Sequence, residues 1–426
     1  MKKIFIVLLL LVSYSFAQPE FHPNRDAIQS GKFYNAEVHY FPSDSGLNIF
    51  YIYKISYSQL FFEKNSDHFN AGINVNIEIL DSSGAVVERK FDSREVSLKD
   101  FELTNSEEHF VNGLLNFNLN KGKYSIIAVI SDLISKRSRT LPPKELVFTQ
   151  SDIILNPIVI NPNKILCSGQ EFQSIEINSM VIPFNQPLNS VLIPVTSDNI
   201  KKLKYSIFLG DSSVIKDQET DKYVYLNKSI SICENTAGLT KQKDQDSIKY
   251  FIINNFTSHL TEGPIKFEVT AFDGSNSFNQ KFDMDVVWIH KPRSLLEPEE
   301  AIKFLEIIEP KEKISQLLGY KDLRKALFSY WKEKDPTPET NYNELMNEFY
   351  SRIDYCEMSF KPINGNSGSK TDRGKIYIKF GKPDTIERDS NIEDKVVETW
   401  FYKNLKRSFI FIDYEGTGKF RLVSEQ

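Results

Sequence analysis

The stretch Ser367–Ile378 reads S-G-S-K-T-D-R-G-K-I-Y-I and lies near the C-terminal end of a 426-residue chain. It combines turn-forming glycines and serines, charged residues and an apolar run that continues to Phe380. Ile376, Ile378 and Phe380 recur at every second position, which predicts a strand with one buried face. We therefore expect this stretch to lead into the sheet of a C-terminal domain.

The residues around this predicted strand carry turn and helix signals. Residues 298–360 place apolar side chains at helical spacing, and three alternating segments from Val397 onward predict further strands. Residues 292–426 are therefore predicted to form an α+β domain that begins with a linker at Pro292–Pro298 and in which a helical segment packs on a small antiparallel sheet. Four residues are assigned to turns because of their backbone preferences, namely Gly374, Gly381, Pro383 and Asp384.

The rest of the chain has the pattern of β-sandwiches. Residues 35–150 and 151–291 contain many short alternating segments separated by turn residues, which predicts two antiparallel, Ig-like modules. Gly122–Asp132 and Gly263–Asp273 share one frame, in which a glycine opens an alternating strand and an aspartate closes it. The shared frame indicates two copies of one module. The whole chain is thus predicted to be multi-domain and mainly β, with an α+β C-terminus.

The N-terminus is typical of an export signal. Lys2-Lys3 precede the apolar run Ile4–Val12, and Ser15-Phe16-Ala17 offers small residues for cleavage after Ala17. Residues 18–34 would then form a flexible leader. The apolar run is shorter than the roughly 20 residues of a membrane-spanning helix, and no later stretch is long and apolar enough to span a bilayer, so no integral membrane segment is expected after signal removal. An uncleaved N-terminal anchor is the alternative.

Composition and cysteine usage narrow the function classes. The formal net charge is −5 without a basic stripe, which argues against nucleic acid as a partner. Cys167 and Cys233 fall in one predicted module, so a disulfide between them is open in an exported protein. Cys356 lies on the apolar face of a predicted helix and is expected in the core. No residue spacing predicts a metal site, and no phosphate-binding glycine loop predicts a cofactor.

Spaced segments of aromatic, turn-forming and charged residues run through the C-terminal part of the chain. They are Tyr330-Trp331, Asp335-Pro336-Thr337-Pro338, Asn343-Glu344, Phe349-Tyr350-x-Arg352, Lys370-Thr371-Asp372-Arg373-Gly374, Ile376-x-Ile378, Phe380-Gly381-x-Pro383-Asp384, Glu398-x-Trp400-x-Tyr402 and Phe409-x-Phe411-x-Asp413. Through these segments residues 297–426 resemble the GWxTD domain of exported bacterial proteins. The tryptophan of the family's naming motif is Ser369 in this chain, so the motif reads G-S-K-T-D. The resemblance implies an exported protein with an N-terminal β region, and it implies no particular reaction.

The candidate binding residues share polar or aromatic side chains and are expected around one groove beside the T-D-R-G segment. A planar arginine fork there would suit a carboxylate or phosphate group. Alternatively the same residues tie loops together, with Asp372 capping backbone N–H groups, Arg373 paired with Asp335 or Glu344, and Trp331 in the core. The candidate set is Trp331, Asp335, Glu344, Arg352, Asp372 and Arg373.

Three function classes follow from these observations. The first is an exported, non-enzymatic binding or scaffolding protein, with the C-terminal α+β domain as interaction head for another envelope protein or a polysaccharide. The second is a secreted hydrolase or glycan-acting enzyme in which Asp335, Glu344 and Asp372 converge. The third is a chaperone-like envelope assembly factor that captures a partner strand at a free sheet edge. No residue is assigned a catalytic role, because the histidines all precede residue 292 and no nucleophile motif is present.

Overall fold

The structure is a computed structural model that describes residues 34–43, 46–148, 152–178, 181–186, 188–241, 247–363, 365, 367–390 and 395–426. The predicted signal peptide and almost all of the predicted leader lie outside the described residues. The described chain is mostly β, with several antiparallel sheets and a small α+β region at the C-terminus.

The first region contains two sheets that share one core. The order β1-β2-β6 forms one sheet, and β5-β4-β7-β9 forms the other, with β3 and β8 at its margins. Alternate residues of β4, such as Ile77 and Ile79, are fully buried against residues of β2 such as Ile49 and Tyr53. The strands are β1 Asn35–Ser43, β2 Gly46–Ser56, β3 Glu63–Asn65, β4 His68–Asp81, β5 Val86–Leu98, β6 Phe110–Leu119, β7 Gly122–Asp132, β8 Ser138–Thr140 and β9 Lys144–Phe148.

The second region also contains two sheets. Their orders are β16-β19-β13-β10-β11-β18-β17 and β12-β21-β20-β14-β15. β12 pairs with β21 in parallel. A disulfide joins Cys167 in β10 to Cys233 in β17. The strands are β10 Ile158–Cys167, β11 Gln170–Ile175, β12 Val181–Pro183, β13 Ser190–Val195, β14 Leu203–Leu209, β15 Ser212–Thr220, β16 Tyr223–Asn227, β17 Ile230–Cys233, β18 Thr236–Thr240, β19 Ser247–Ile253, β20 Gly263–Asp273 and β21 Asn276–Val287.

The two regions share a strand order. The sheet β1-β2-β6 corresponds to β10-β13-β19, and β5-β4-β7-β9 corresponds to β15-β14-β20-β21. The corresponding strands also follow one another in the same order along the chain. The frame read from the sequence marks equivalent strands, since β7 and β20 both begin at the glycine and end at the aspartate of that frame. The second region adds β11, β12, β16, β17 and β18 to this common plan.

The C-terminal region consists of five α-helices and a four-stranded antiparallel sheet among the described residues. The sheet has the order β22-β23-β24-β25. No helix in the described part of the chain has the length and apolar character needed to cross a membrane. The elements are α1 Pro298–Phe304, α2 Lys311–Leu318, α3 Leu323–Lys332, α4 Glu344–Ser359, α5 Asp372–Phe380, β22 Thr385–Ser390, β23 Val396–Tyr402, β24 Arg407–Asp413 and β25 Arg421–Glu425.

Aromatic packing fixes the C-terminal region against the second region. Trp288 contacts Phe184 and Tyr342, with ring centroids 5.4 and 5.5 Å apart, in a core that runs on into the helices. The segment predicted as a linker is also packed. Leu295 is buried, and the backbone N–H of Ser294 donates to Asp354 at 3.0 Å. The C-terminal region is therefore held by a continuous hydrophobic core rather than tethered by a flexible segment.

The strand predicted at Ile376–Phe380 is wrong, because these residues belong to helix α5. The Thr371 hydroxyl accepts a hydrogen bond from the backbone N–H of Gly374 at 3.0 Å and thereby caps the helix. Gly374 consequently lies inside the helix and not in a turn. A Cβ at this position would lie 2.2 Å from the carbonyl oxygen of Gly368, so only glycine fits this close approach. Gly381, with a φ of +81°, ends the helix.

Candidate functional site

Arg373 points into the C-terminal region and not toward a groove. Its Nη1 lies 3.1 Å from Oε2 of Glu398, and its Nη2 donates to the carbonyl of Gly418 at 3.2 Å. The guanidinium carbon lies 3.9 Å from the ring centroid of Phe420 and 4.9 Å from that of Phe360. The Nε of Arg373 has no hydrogen-bond acceptor among the described residues. The predicted pairing of Arg373 with Asp335 or Glu344 is therefore wrong, since Glu398 is the partner.

Glu398 is the hub of this cluster. It is 1% exposed and also accepts hydrogen bonds from Arg388 Nε at 2.8 Å and from Trp400 Nε1 at 3.2 Å. Glu398 is not among the site residues predicted from the sequence. The sequence does contain a pattern that predicts its burial. Glu398 lies two residues before Trp400 and four before Tyr402, which places all three side chains on the same buried face of the strand. A buried carboxylate of this kind requires a cationic partner.

Asp372 stabilises the edge of the sheet. It is the first residue of α5, where a carboxylate is favoured by the helix dipole, and its Oδ2 accepts from the backbone N–H of Leu422 in β25 at 3.0 Å. The expected capping of a backbone N–H by Asp372 is confirmed, although the N–H belongs to a strand 50 residues away in sequence. The carboxylate thereby covers part of the outer edge of β25.

Asp335 and Glu344 meet at a different corner of the domain. Asp335 accepts from Lys332 Nζ at 2.8 Å and from the backbone N–H of Thr337 at 3.0 Å. Glu344 accepts from the hydroxyl of Thr337 at 2.6 Å. These bonds fix the loop between α3 and α4. Asp372 makes its own bond to β25, so the three carboxylates do not share one constellation.

Arg352 and Trp331 also make contacts within the domain. Arg352 bonds to Glu348 and donates from Nη1 to the carbonyl of Ile378 at 2.9 Å, where a cation satisfies the C-terminal end of α5. Trp331 is 2% exposed and packs against Phe349 at 5.3 Å. It therefore lies in the core, as the second interpretation of this residue expected, and offers no stacking surface to a ligand.

The loop before α5 is clamped by Glu357. Its carboxylate accepts from the hydroxyls of Ser367 and Ser369 at 2.6 Å each, and from the backbone N–H groups of Gly368 and Ser369 at 3.0 Å. Burial opposes ionisation of Glu357, but these four donors outweigh it and hold its pKa below the ordinary value. Ser369, at the position of the family tryptophan, is fully buried. There is thus a polar clamp where the family motif has an indole.

Cys356 is buried as predicted and does not resemble a nucleophile. Burial raises the pKa of its thiol to about 12, so the thiol stays protonated at neutral pH. Its Sγ lies 3.6 Å from the carbonyl of Gly374. In the described part of the chain no group of three His, Cys, Asp or Glu side chains could hold a metal ion.

One open cavity borders the T-D-R-G segment. This corner cleft has a volume of about 350 Å³ and lies between the loop that precedes α5 and the loop that joins β24 to β25. Its charges are mixed, and three of them are already paired, since Arg421 lies 3.6 Å from Glu415 and Lys370 lies 2.8 Å from Glu306. It is lined by Pro362, Gly365, Ser367, Lys370, Thr371, Asp372, Glu415, Thr417, Lys419, Phe420 and Arg421.

Comparisons with known proteins place the C-terminal residues in a family. Among curated proteins no match is found. A solved structure described as manganese lipoxygenase of Gaeumannomyces graminis with part of zonadhesin of Komagataella pastoris is 8% identical and covers 59% of this chain and 94% of its own. Its TM-score of 0.15 is too low to carry an inference. Residues 274–422 match the model of the GWxTD domain, so this part of the chain is a member of the GWxTD domain family.

Proposed function

We propose that this protein is an exported, non-enzymatic binding or scaffolding module of the cell envelope, with its C-terminal region as the interaction head. The disulfide between Cys167 and Cys233 supports export, because such bonds persist in oxidising compartments. The N-terminal signal pattern supports the same location. A bridged pair and an export signal together favour the periplasm or the cell surface.

The two N-terminal regions are, in this proposal, Ig-like sandwiches that support the head. Their common strand order and the repeated glycine-to-aspartate frame support duplication of one module. Aromatic contacts between the regions, such as Phe41 with Tyr250 at 6.3 Å between ring centroids, favour a stiff support. Fold alone would not assign a function, so the proposal depends on the head.

The observation that carries the proposal is that the charged residues of the T-D-R-G segment bind other groups within the head. Arg373 and Glu398 are bound to each other in the core, while Asp372 binds the backbone of β25. A carboxylate pair for hydrolysis needs two groups flanking a substrate, about 5–10 Å apart in an open site. Here the charges of the family motif fix the helix against the sheet. What remains for function is the outer surface, including the corner cleft and the sheet edge.

The test is site-specific photo-crosslinking of the full-length protein in the cells that produce it. A photoreactive phenylalanine analogue replaces Ile386 on β22 or Lys419 at the corner cleft. Matched labels replace Phe91 and Leu166, which are 70% and 72% exposed in the two N-terminal regions. We expect adducts with an envelope protein or polysaccharide from the head positions. Adducts from Phe91 or Leu166 alone would overturn the head assignment, and no adduct at any position would overturn the binding role.

The hydrolase remains the competing proposal and has a separate readout. It requires turnover of a glycan or ester substrate by the wild-type protein. It also requires that Asp372→Asn abolish this turnover without changing the urea unfolding midpoint. Such a pair of results would replace the binding proposal by the enzymatic one.

A further inference from the structure

We infer that β22 is a docking edge for an extended segment of another protein, which adds a fifth strand to the sheet of the head. This inference rests on the proposed binding function and names the class of partner. β22 is the end strand of the order β22-β23-β24-β25, and all six of its residues are exposed. An end strand has backbone N–H and C=O groups that no neighbouring strand satisfies. Strand addition satisfies these groups and gives sequence-tolerant affinity.

The ladder of β22 is regular and therefore suited to receive another strand. It pairs with β23 from Thr385 opposite Phe401 to Ser390 opposite Val396 without a register shift. It contains neither lysine nor proline, two residue types that natural proteins use to block sheet edges. By contrast, the long end strand β5 carries Lys90 and a register irregularity in its pairing with β4.

The opposite edge of the same sheet is blocked. The N–H of Leu422 in β25 is already bound by Asp372. The pairing of β25 with β24 is also irregular, with a register shift between Ile410 and Phe411. One edge is thus capped by a residue of the family motif while the other is left regular and exposed. This asymmetry directs strand addition to β22.

The charges of β22 select the incoming strand. Glu387 and Asp389 lie on one face, two residues apart, and form no ion pair with any described residue. On the other face Arg388 is bound to Glu398 and Ile386 is 47% exposed. Opposite charges on directly opposed residues stabilise a strand pair. The partner segment therefore alternates Lys or Arg, opposite the acids, with apolar residues, opposite Ile386.

A second copy of this chain does not fit the edge. Residues directly opposite each other in an antiparallel pair lie on the same face of the sheet. If two copies of β22 paired about Glu387, that carboxylate would oppose its own copy. If they paired about Arg388, the arginines would oppose each other and Glu387 would oppose Asp389. Directly opposed like charges are destabilising, so the edge favours a basic partner over self-association.

The probe is a fluorescein-labelled seven-residue peptide, Thr-Lys-Val-Lys-Val-Lys-Thr, titrated with the full-length protein and followed by anisotropy. We expect binding about tenfold tighter than for the peptide with Glu in place of Lys, since two favourable pairs replace two repulsive ones. In the Glu387→Lys, Asp389→Lys variant the preference should reverse. A control variant with the same charge change outside the head, Asp217→Lys with Glu219→Lys on the exposed strand β15, should bind the Lys peptide as the wild type does.

Two further measurements separate strand addition from general charge attraction. A peptide with both valines replaced by proline keeps its charge but loses ladder N–H groups, and it should bind about tenfold more weakly. Hydrogen exchange should slow in residues 385–390 when the Lys peptide is added. Equal binding of the proline peptide, or protection confined to other segments, would overturn the inference. Photo-adducts from Lys419 with none from Ile386 would reject this edge and still leave the head as the binding region.

Discussion

Arg373 and Glu398 form a buried ion pair, with 3.1 Å between Nη1 and Oε2 and exposures of 8% and 1%. The pair joins the start of α5 to β23, and the phenyl rings of Phe360 and Phe420 cover the guanidinium. The arginine of the family motif is thus an internal fastener between helix and sheet. Buried ion pairs of this kind are costly to break from one side, because the remaining charge stays desolvated.

Removal of Glu398 should destabilise the protein more than removal of any exposed charge. We expect Glu398→Ala to lower the free energy of unfolding by about 3–5 kcal/mol, since it leaves Arg373 buried without its anion. Arg388→Ala is the control, because Arg388 binds the same carboxylate but is 70% exposed, and it should cost less than about 1 kcal/mol. Urea unfolding followed by tryptophan fluorescence measures both. Equal losses in the two variants would contradict the internal role of the pair.

Asp372 should protect the edge of β25 from exchange. In Asp372→Ala the N–H of Leu422 loses its acceptor, which we expect to cost about 1.5–3 kcal/mol and to increase hydrogen exchange in residues 421–425. Asp372→Asn retains an acceptor oxygen and should show a smaller change. If exchange in 421–425 is the same in all three proteins, the bond to Leu422 does not hold this edge.

Restoring the family tryptophan should harm this chain. Ser369 is fully buried and its hydroxyl donates to Glu357 at 2.6 Å. Ser369→Ala removes one of four donors and should cost about 1 kcal/mol. Ser369→Trp removes the same donor and overpacks the site, so the loss should be larger by about 1–3 kcal/mol or more. A tryptophan variant as stable as the wild type in urea would mean that the hydrogen bond from Ser369 to Glu357 does not stabilise this site.

The clamp also predicts a pH dependence. The folded-state pKa of Glu357 lies below its ordinary value, so the unfolded chain binds the proton more tightly than the folded chain does. The contribution of Glu357 to stability is therefore complete above the ordinary pKa of a glutamate and is lost as the pH falls through the lowered value. Urea midpoints between pH 7 and pH 3 measure this loss. The Glu357→Gln variant should start lower at pH 7 and fall less steeply on acidification, and parallel curves would contradict the assignment.

Reduction of the disulfide should destabilise the second region. The bridge between Cys167 and Cys233 spans 66 residues, for which chain entropy predicts a stabilisation of about 4 kcal/mol as an upper figure. The Cys167→Ser, Cys233→Ser variant and the reduced wild type should melt at the same lowered temperature. Reductant should leave the double variant unchanged, because Cys356 is buried and unpaired. An unchanged melting temperature in the reduced wild type would mean that the bridge adds no stability.

Sequence patterns predicted the β architecture well and the T-D-R-G segment poorly. Long alternating strands such as Gly263–Asp273 carry enough repeats to distinguish period two from period 3.6. The segment from Ile376 to Phe380 is too short for that distinction, since apolar residues at i, i+2 and i+4 also occur in a helix. The residues at the two ends of the segment distinguish a helix from a strand. Thr371 before an acidic first turn and Gly381 after Phe380 are helix boundary signals that outweigh the alternation.

The partners of the candidate charges could not be predicted from spacing. Arg373 finds Glu398 only because the register of the sheet brings β23 beneath the start of α5. The predicted partners Asp335 and Glu344 are bound instead to Thr337 and Lys332. The alternative prediction, that these residues tie loops together, agrees with the bonds of Asp335 and Glu344 in the loop between α3 and α4. Tertiary contacts of this range depend on packing that no local pattern contains.

In the proposed function the T-D-R-G corner is a structural joint, and partners bind outside it. The most direct test replaces the buried pair by apolar residues of similar volume, Arg373→Met with Glu398→Leu, since such exchanges often leave stability nearly unchanged. Photo-crosslinking through Ile386 and Lys419 is then compared with the wild type, after a cooperative urea transition has shown that the variant is folded. We predict the same adducts in the same yield. Loss of the adducts in a folded variant would instead place the pair in the binding site.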